Sequence, residues 1–282
     1  LSRTTCGDAE VFSGIVMCDS ECNETGKCMF SAERNIYVTG MGAVRCLGIG
    51  VSAFWDAVLA GESRFSPIER FDLDGSAYST AGLIPEERFW TDEAVSLGAR
   101  FAARAAMEAT EGIPDDIKEH MAVVMSTNFG PSELQERVAE GDPGTEFGRL
   151  CDGFFSWDID HVAESVGAGG ERTNISLSCS SGNAAVSHAL ELLRSGKTDI
   201  VLAGGYDSIQ KVTWGGLACL RVMTTSKSED IPRVRPFDLN RSGTLFSEGA
   251  GVLVLESERH AREREARLLA ELAGAASNNN AY

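Results

Sequence analysis

The run Asn174-Ile175-Ser176-Leu177-Ser178-Cys179-Ser180-Ser181-Gly182-Asn183-Ala184-Ala185-Val186 decides how the chain is read. It opens as a short buried strand that stops at a cysteine. Small residues then lead into a helical pattern, with Ala185, Val186, Ala189, Leu190, Leu192 and Leu193 recurring on one face. Ser187, His188, Glu191 and Arg194 fill the other side, and Gly196 supplies a stop. Cys179 therefore falls at a strand-to-helix turn, where unpaired N–H groups and the helix dipole favour negative charge. The thiolate is the reactive form of cysteine. Small neighbours leave room for a carbonyl substrate, and the Cys179 N–H is placed to donate to a developing oxyanion. The competing reading is a buried core cysteine, and the turn alone leaves the two level. An α/β-hydrolase elbow would have glycine two positions earlier, where Leu177 stands.

Outward from this stretch, short buried strands alternate with helices. Ile36-Tyr37-Val38-Thr39 reads as a strand ending at Gly40-Met41-Gly42, and Met121-Ala122-Val123-Val124-Met125 reads as another. Arg45 occupies the place of the third glycine in a GxGxxG fingerprint, which rules out a dinucleotide site there. Ser52 is expected to cap a helix carrying Phe54, Trp55, Val58 and Leu59. Thr91 or Asp92 is expected to cap a long alanine-rich helix ending near Gly112. Residues 131–173 are hard to read, and their aromatics Phe147, Phe154, Phe155 and Trp157 are as readily plain core as pocket. The alternation predicts an α/β protein with helices on both faces of a sheet.

Taken with its surroundings, the Cys-Ser-Ser-Gly-Asn-Ala-Ala turn resembles the β-ketoacyl-acyl-carrier-protein synthases of the thiolase superfamily. Asp199-Ile200-Val201-Leu202-Ala203-Gly204-Gly205 follows the helix as in that family. Arg235-Pro236-Phe237-Asp238-Leu239-Asn240-Arg241-Ser242-Gly243 and Glu248-Gly249-Ala250-Gly251-Val252-Leu253-Val254-Leu255-Glu256 resemble its second signature, and Tyr37-Val38-Thr39-Gly40-Met41-Gly42-Ala43-Val44 its first strand. The likeness covers roughly residues 34 to 282. It implies the five-layered αβαβα thiolase-like sandwich, with residues 34–256 as the N-terminal half. Residues 257–282 would begin a truncated C-terminal half, with 268–274 as its first strand.

The resemblance implies a decarboxylative Claisen condensation. Cys179 would take an acyl group from acyl carrier protein, and a malonyl thioester would lose CO2 and attack it. No cofactor or metal is implied. Glu248 would support the floor of the site. The family's two catalytic histidines and lysine would follow Ser277-Asn278-Asn279-Asn280-Ala281-Tyr282, so the chain is expected to be a fragment. His120, His161, His188 and His260 are poor partners: His188 lies nine residues along the helix from Cys179, and His260 reads as solvated. Ser178, Ser242, Thr244 and Ser247 depart from the family's usual alanine, acidic residue, phenylalanine and glycine.

The 282 residues are 43% hydrophobic and 24% charged, as in ordinary globular proteins, with no run long enough to span a membrane. A net charge of −17 argues against general nucleic-acid binding. Carrier proteins are acidic too, so docking calls for a local basic patch, for which Arg64, Arg70, Arg221 and Lys227 are candidates by the resemblance. Residues 1–33 read as a disordered or untranslated leader. Cys6, Cys18, Cys22 and Cys28 within it match no common zinc spacing. Cys46, Cys151, Cys179 and Cys219 are scattered, as in a reducing cytoplasm. Family members are homodimers. The alternative is a non-catalytic, chain-length-factor type subunit of a heterodimer, against which Cys179 itself speaks. A degradative thiolase would carry its nucleophile nearer the N-terminus.

Overall fold

In the computed structural model, residues 34–73, 75–85, 95–141, 154–224 and 234–279 are described. Strand β1 (Ile36–Arg45) turns through β2 (Gly48–Ile49) into helix α1 (Val51–Leu59). A small hairpin of β3 (Ser66–Pro67) and β4 (Thr80–Ala81) precedes the long helix α2 (Leu97–Ala109). There follow α3 (Asp115–Lys118), β5 (Ala122–Ser126), α4 (Ser132–Ala139), α5 (Phe155–Val166) and β6 (Arg172–Ile175). The last part holds α6 (Ser181–Arg194), β7 (Ile200–Asp207), α7 (Lys211–Cys219), β8 (Gly249–Ser257), α8 (Glu258–Glu263) and β9 (Ala270–Glu271).

Seven strands form one sheet in the order β2-β1-β8-β7-β5-β6, with β9 added on β1. Strand β5 is parallel to β6 and β7, whereas β8 is antiparallel to both of its neighbours, β7 and β1. The start of β8 therefore lies level with the ends of β1 and β7: Arg45 and Asp207 both pair with Gly249.

The strands bury both faces, which is why they read as continuous apolar runs. Against one face α2 and α5 pack Phe101, Ala105, Ile159 and Val162 onto Val123, Met125, Leu202 and Val252. Against the other, α6 packs Ala185, Ala189, Leu190 and Leu193 onto Val124, Val201, Ala203 and Leu255. Helix, sheet and helix are three of the five layers implied by the resemblance. Close approach of α2 depends on two glycines of β1. A Cβ at Gly42 would lie 1.8 Å from the Ala105 carbonyl oxygen, and one at Gly40 2.0 Å from that of Ala109.

Helix ends differ from the sequence expectations. Ser52 lies inside α1; the helix follows Gly50, and its donor Val51 N–H bonds to Glu108 Oε1 of α2 at 2.7 Å. The other oxygen of Glu108 accepts from Ala43 N at 3.1 Å, so one carboxylate joins β1, α1 and α2. Helix α2 is capped by buried Ser96, which accepts from Ala99 N at 3.0 Å; Thr91 and Asp92 lie outside the described residues. Phe154 and Trp157 are exposed rather than core, and Phe147 lies outside the described residues. The 268–274 segment contributes β9, which bonds to β1 at Tyr37 and Val38. Among the described residues no helix is long and apolar enough to cross a membrane. Residues 1–33, with Cys6, Cys18, Cys22 and Cys28, and also Cys151, lie outside the described residues.

Candidate active site

The face of the sheet beneath α6 changes character along its length. On β7 it runs Val201, Ala203, Gly205, Asp207, and on β8 it runs Leu255, Leu253, Gly251, Gly249, by the alternation of side chains along a strand. Large apolar groups seat the body of α6, and glycines leave a trough under its first turn. The result is a cavity of about 330 Å³ lined by Cys179, Ser178, Ser181 and Gly182 from the turn. Arg45, Ser126, Thr127, Asn128, Asp207 and Ser247 line its other walls.

Cys179 is exposed at this cavity. Strand β6 ends at Ile175, earlier than the cysteine, because its ladder with β5 stops there. The intervening turn is tight. Ser178 sits at φ 50, a left-handed conformation that non-glycine residues seldom adopt. Ser180 N and Ser181 N donate to the carbonyls of Leu177 and Ser178 at 3.3 and 3.1 Å, and the Ser181 hydroxyl accepts from Leu177 N at 2.7 Å. These bonds over-determine the turn and hold the thiol ahead of the helix.

A second tier of polar groups anchors that turn to the strand ends. Ser181 Oγ lies 3.1 Å from Asn128 Oδ1. Asn128 donates in turn to Asp207, from its backbone N–H to Oδ1 at 2.9 Å and from Nδ2 to Oδ2 at 3.3 Å. Thr127 Oγ1 and Phe129 N also donate to Asp207 Oδ1, at 2.7 and 3.0 Å. Burial raises the Asp207 carboxyl above its ordinary pKa, and these four donors oppose the rise. Sequence reading missed this pair. The only local sign is an acid that closes an otherwise apolar strand, two residues after Gly204-Gly205.

Glu248 is wholly buried beside the trough, where Arg70 Nη1 and Nη2 donate to its two oxygens at 2.9 and 3.1 Å. Ile84 N and Ile209 N donate to it as well, at 2.7 and 3.2 Å. Arg70, expected among the docking residues, is thus turned inward; its guanidinium is drawn to a desolvated carboxylate. Arg64 is exposed, with Glu62 at 3.6 Å and the Cys46 carbonyl at 3.4 Å. Arg221 is exposed at φ 55, and Lys227 lies outside the described residues.

Among the described residues no histidine lines the cavity. His188 pairs weakly with Glu191 at 3.8 Å. His260, expected to be solvated, is instead part of a buried cluster: its Nδ1 lies 2.6 Å from Glu256 Oε2, and Arg264 and Thr39 bond to the same carboxylate. Among the described residues no group of three or more His, Cys, Asp or Glu is arranged to hold a metal ion.

Three comparisons bear on this arrangement. Residues 33–261 match the family described as "Beta-ketoacyl synthase, N-terminal domain". The chain is 32% identical to the tetracenomycin polyketide synthase ketoacyl synthase alpha subunit of Streptomyces glaucescens, over 89% of its own length and 64% of the relative's. It is 28% identical to 3-oxoacyl-[acyl-carrier-protein] synthase 2 of Vibrio cholerae, again over 89% and 64%. Among solved structures, it superposes with a TM-score of 0.74 and 32% identity on the ishigamide ketosynthase/chain length factor, covering 86% of this chain and 63% of that one. The chain thus spans less than two thirds of the length of these proteins. The layered arrangement of sheet and helices is that of the thiolase-like ketosynthases, and the chain belongs to the beta-ketoacyl synthase family, whose N-terminal domain it carries.

Proposed function

We propose that this chain carries the nucleophile of an elongating β-ketoacyl synthase, an acyltransferase of fatty-acid or polyketide synthesis working in the cytoplasm. The observation that carries the reading is the exposed Cys179 at the head of α6, held over a cavity by a strained turn. The Cys179 sulfur attacks the carbonyl of an acyl thioester on acyl carrier protein. A new C–S bond forms, the old one breaks, and the departing carrier thiolate takes up the proton. A malonyl thioester then loses CO2, and its carbanion attacks the Cys179-bound acyl group, forming a C–C bond and returning the thiolate. The Cys179 N–H, unused in the bonds of the turn, is the donor best placed for the oxyanion. None of His120, His161, His188 and His260 is proposed to stabilise the enolate, since none lines the cavity among the described residues.

Glu248 supports the site from behind by fixing Ile84 and Ile209 near the ends of the cavity walls. Arg64, Arg221 and Lys227 are proposed to meet the acidic carrier. The full protein is proposed to act as a homodimer.

The test uses the full-length product of the encoding gene with acyl- and malonyl-carrier protein. The expected result is a β-ketoacyl carrier and an acyl mass adduct on Cys179, both lost in Cys179→Ala. An intact protein that takes no acyl adduct at Cys179 overturns the reading and favours the non-catalytic subunit.

A further inference from the structure

The cavity beside Cys179 has a cation in its wall that has no carboxylate partner among the described residues. Arg45 closes β1 and pairs with Gly249, which pairs on its other side with Asp207. Three residues abreast on adjacent strands point their side chains to one face. Gly249 has none, so Arg45 and Asp207 face each other across the trough, with Cα atoms roughly 10 Å apart at two strand spacings. They do not pair. Asp207 is engaged by four donors from the 127–129 segment. The Arg45 side chain makes no ion pair or hydrogen bond among the described residues; its guanidinium carbon rests 5.5 Å from the centroid of the Phe54 ring.

That is unusual for a chain with 42 acidic and 25 basic residues, where a carboxylate partner would be easy to supply. An arginine held through an aromatic ring is positioned without spending its N–H donors. Arg45 and Ser247 line the same cavity as Cys179, and the Ser247 hydroxyl is bonded to the Gly82 carbonyl at 3.0 Å. A cavity built for a plain alkyl chain would be lined mainly by apolar side chains. This one presents Arg45, Ser126, Thr127, Asn128 and Ser247 over a glycine floor, together with Asp207, whose oxygens are taken up by the donors of the 127–129 segment.

We infer that Arg45 is a specificity-determining residue that selects acyl thioesters whose chain carries an acceptor oxygen, a keto or carboxylate group, within reach of the Cys179 cavity. The inference rests on Cys179 being the acylated residue. The bond-making step is the thioester exchange already given; Arg45 takes no part in it and acts by holding the chain oxygen through N–H donors. A carboxylate gains more than a ketone, because hydrogen bonds between charged partners are roughly twice as strong as neutral ones.

The experiment compares, on the full-length protein, acylation of Cys179 by three N-acetylcysteamine thioesters of equal length: hexanoyl, 5-oxohexanoyl and adipoyl. Adduct formation is followed by intact mass, and the readout is the ratio of rates within one preparation, which cancels any difference in folded fraction. Wild-type protein is expected to prefer an oxygenated thioester over hexanoyl by roughly tenfold, the effect of one charge-assisted hydrogen bond. Preference for both oxygenated thioesters marks a keto-tolerant subsite, and preference for adipoyl alone marks a carboxylate subsite. Arg45→Met should bring the ratio close to one, and Arg45→Lys should keep more of the adipoyl preference than of the 5-oxohexanoyl one. Equal rates for all three thioesters in wild type, or a ratio untouched by Arg45→Met, would overturn the inference while leaving the acyltransferase reading intact. No adduct with any thioester would sink the acyltransferase reading itself.

Discussion

Arg70 and Glu248, 178 residues apart in sequence, meet as a two-pronged ion pair with both contacts near 3 Å. The carboxylate has no access to solvent, and the guanidinium has little. Removing one member leaves the other charge buried and uncompensated, which typically costs about 3–5 kcal/mol. Arg70→Met and Glu248→Ala should each lower the unfolding free energy, read from urea titrations, by an amount in that range. The double substitution should cost less than the sum of the two, because the partners form one unit. Additive losses would show that the pair is not coupled.

A second buried acid gives a pH signature. Asp158 is wholly buried; burial lifts its pKa to about 7, against hydrogen bonds from Ser96 and Tyr206, and Glu133 adds to the rise. Tyr206 donates to Oδ2 at 3.0 Å, whereas Oδ1 has no partner among the described residues. The folded group keeps its proton to a higher pH than the unfolded one. Its contribution to stability is therefore full below about 3.8 and is lost as pH rises through about 7. Burial also raises Glu133, so the two act in the same direction. Asp158→Asn should stabilise the protein at pH 8 and do little at pH 4, read from thermal midpoints. An equal shift at both would contradict the assignment.

Glu256 behaves in the opposite sense. Burial opposes its ionisation, but hydrogen bonds from Arg264, His260 and Thr39 outweigh it and hold the carboxyl down to about 2. Its stabilisation is complete above about 4.5 and disappears as pH falls toward about 2. Glu256→Gln should cost roughly 3 kcal/mol at pH 7 and much less at pH 2.5. Denaturant titrations at the two pH values give the comparison.

Two glycines should respond differently to alanine. At Gly42 the new methyl would meet the Ala105 carbonyl at 1.8 Å, so α2 must move off the sheet, with a loss of about 3 kcal/mol or more. At Gly182 a methyl has nothing within 4 Å, and alanine favours the helix. Gly182 lines the Cys179 cavity, however. Gly182→Ala should therefore keep or raise the thermal midpoint while slowing alkylation of Cys179 by a bulky maleimide more than by iodoacetamide. Equal slowing would place the methyl outside the cavity.

The proposed carrier docking can be separated from the proposed chemistry. Arg64→Glu and Arg221→Glu should raise KM for an acyl carrier protein several-fold, and more so at low ionic strength. Turnover of a small thioester should be unaffected. A matching loss on the small thioester would point to the cavity rather than to a docking surface.

The strand-to-helix turn at Cys179 was legible because its signals are local: an apolar run, small residues and a 3.6-residue period lie within twenty positions of one another. The same locality made the buried strand at 122–125 and the face of α6 readable. What escaped were partnerships over long separations. The first turn of α1 is satisfied by Glu108 from α2, so Ser52 looked like a cap without being one. Arg70 looked like a surface cation because its buried carboxylate lies on another segment. His260 looked solvated in a run of charges, yet one acid of that run is fully buried and draws it inward. Arg45 and Asp207 become neighbours only through the register of β8 with the strands on both sides.

That register also has a consequence for the growing polypeptide. Strand β1 emerges from the ribosome before its full-length partner β8, which ends at Ser257, paired with Ile36. At ~5–20 residues per second, the first strand waits on the order of ten seconds or more for the second. During that interval the Ile36–Val44 segment has an unpaired backbone and an apolar face, the combination that invites strand addition from another molecule. Strand β8, which lies between β1 and β7 in the sheet, is thus made long after β1. Synthesis speed and chaperone supply should govern the yield of soluble protein more than the stability of the finished domain does.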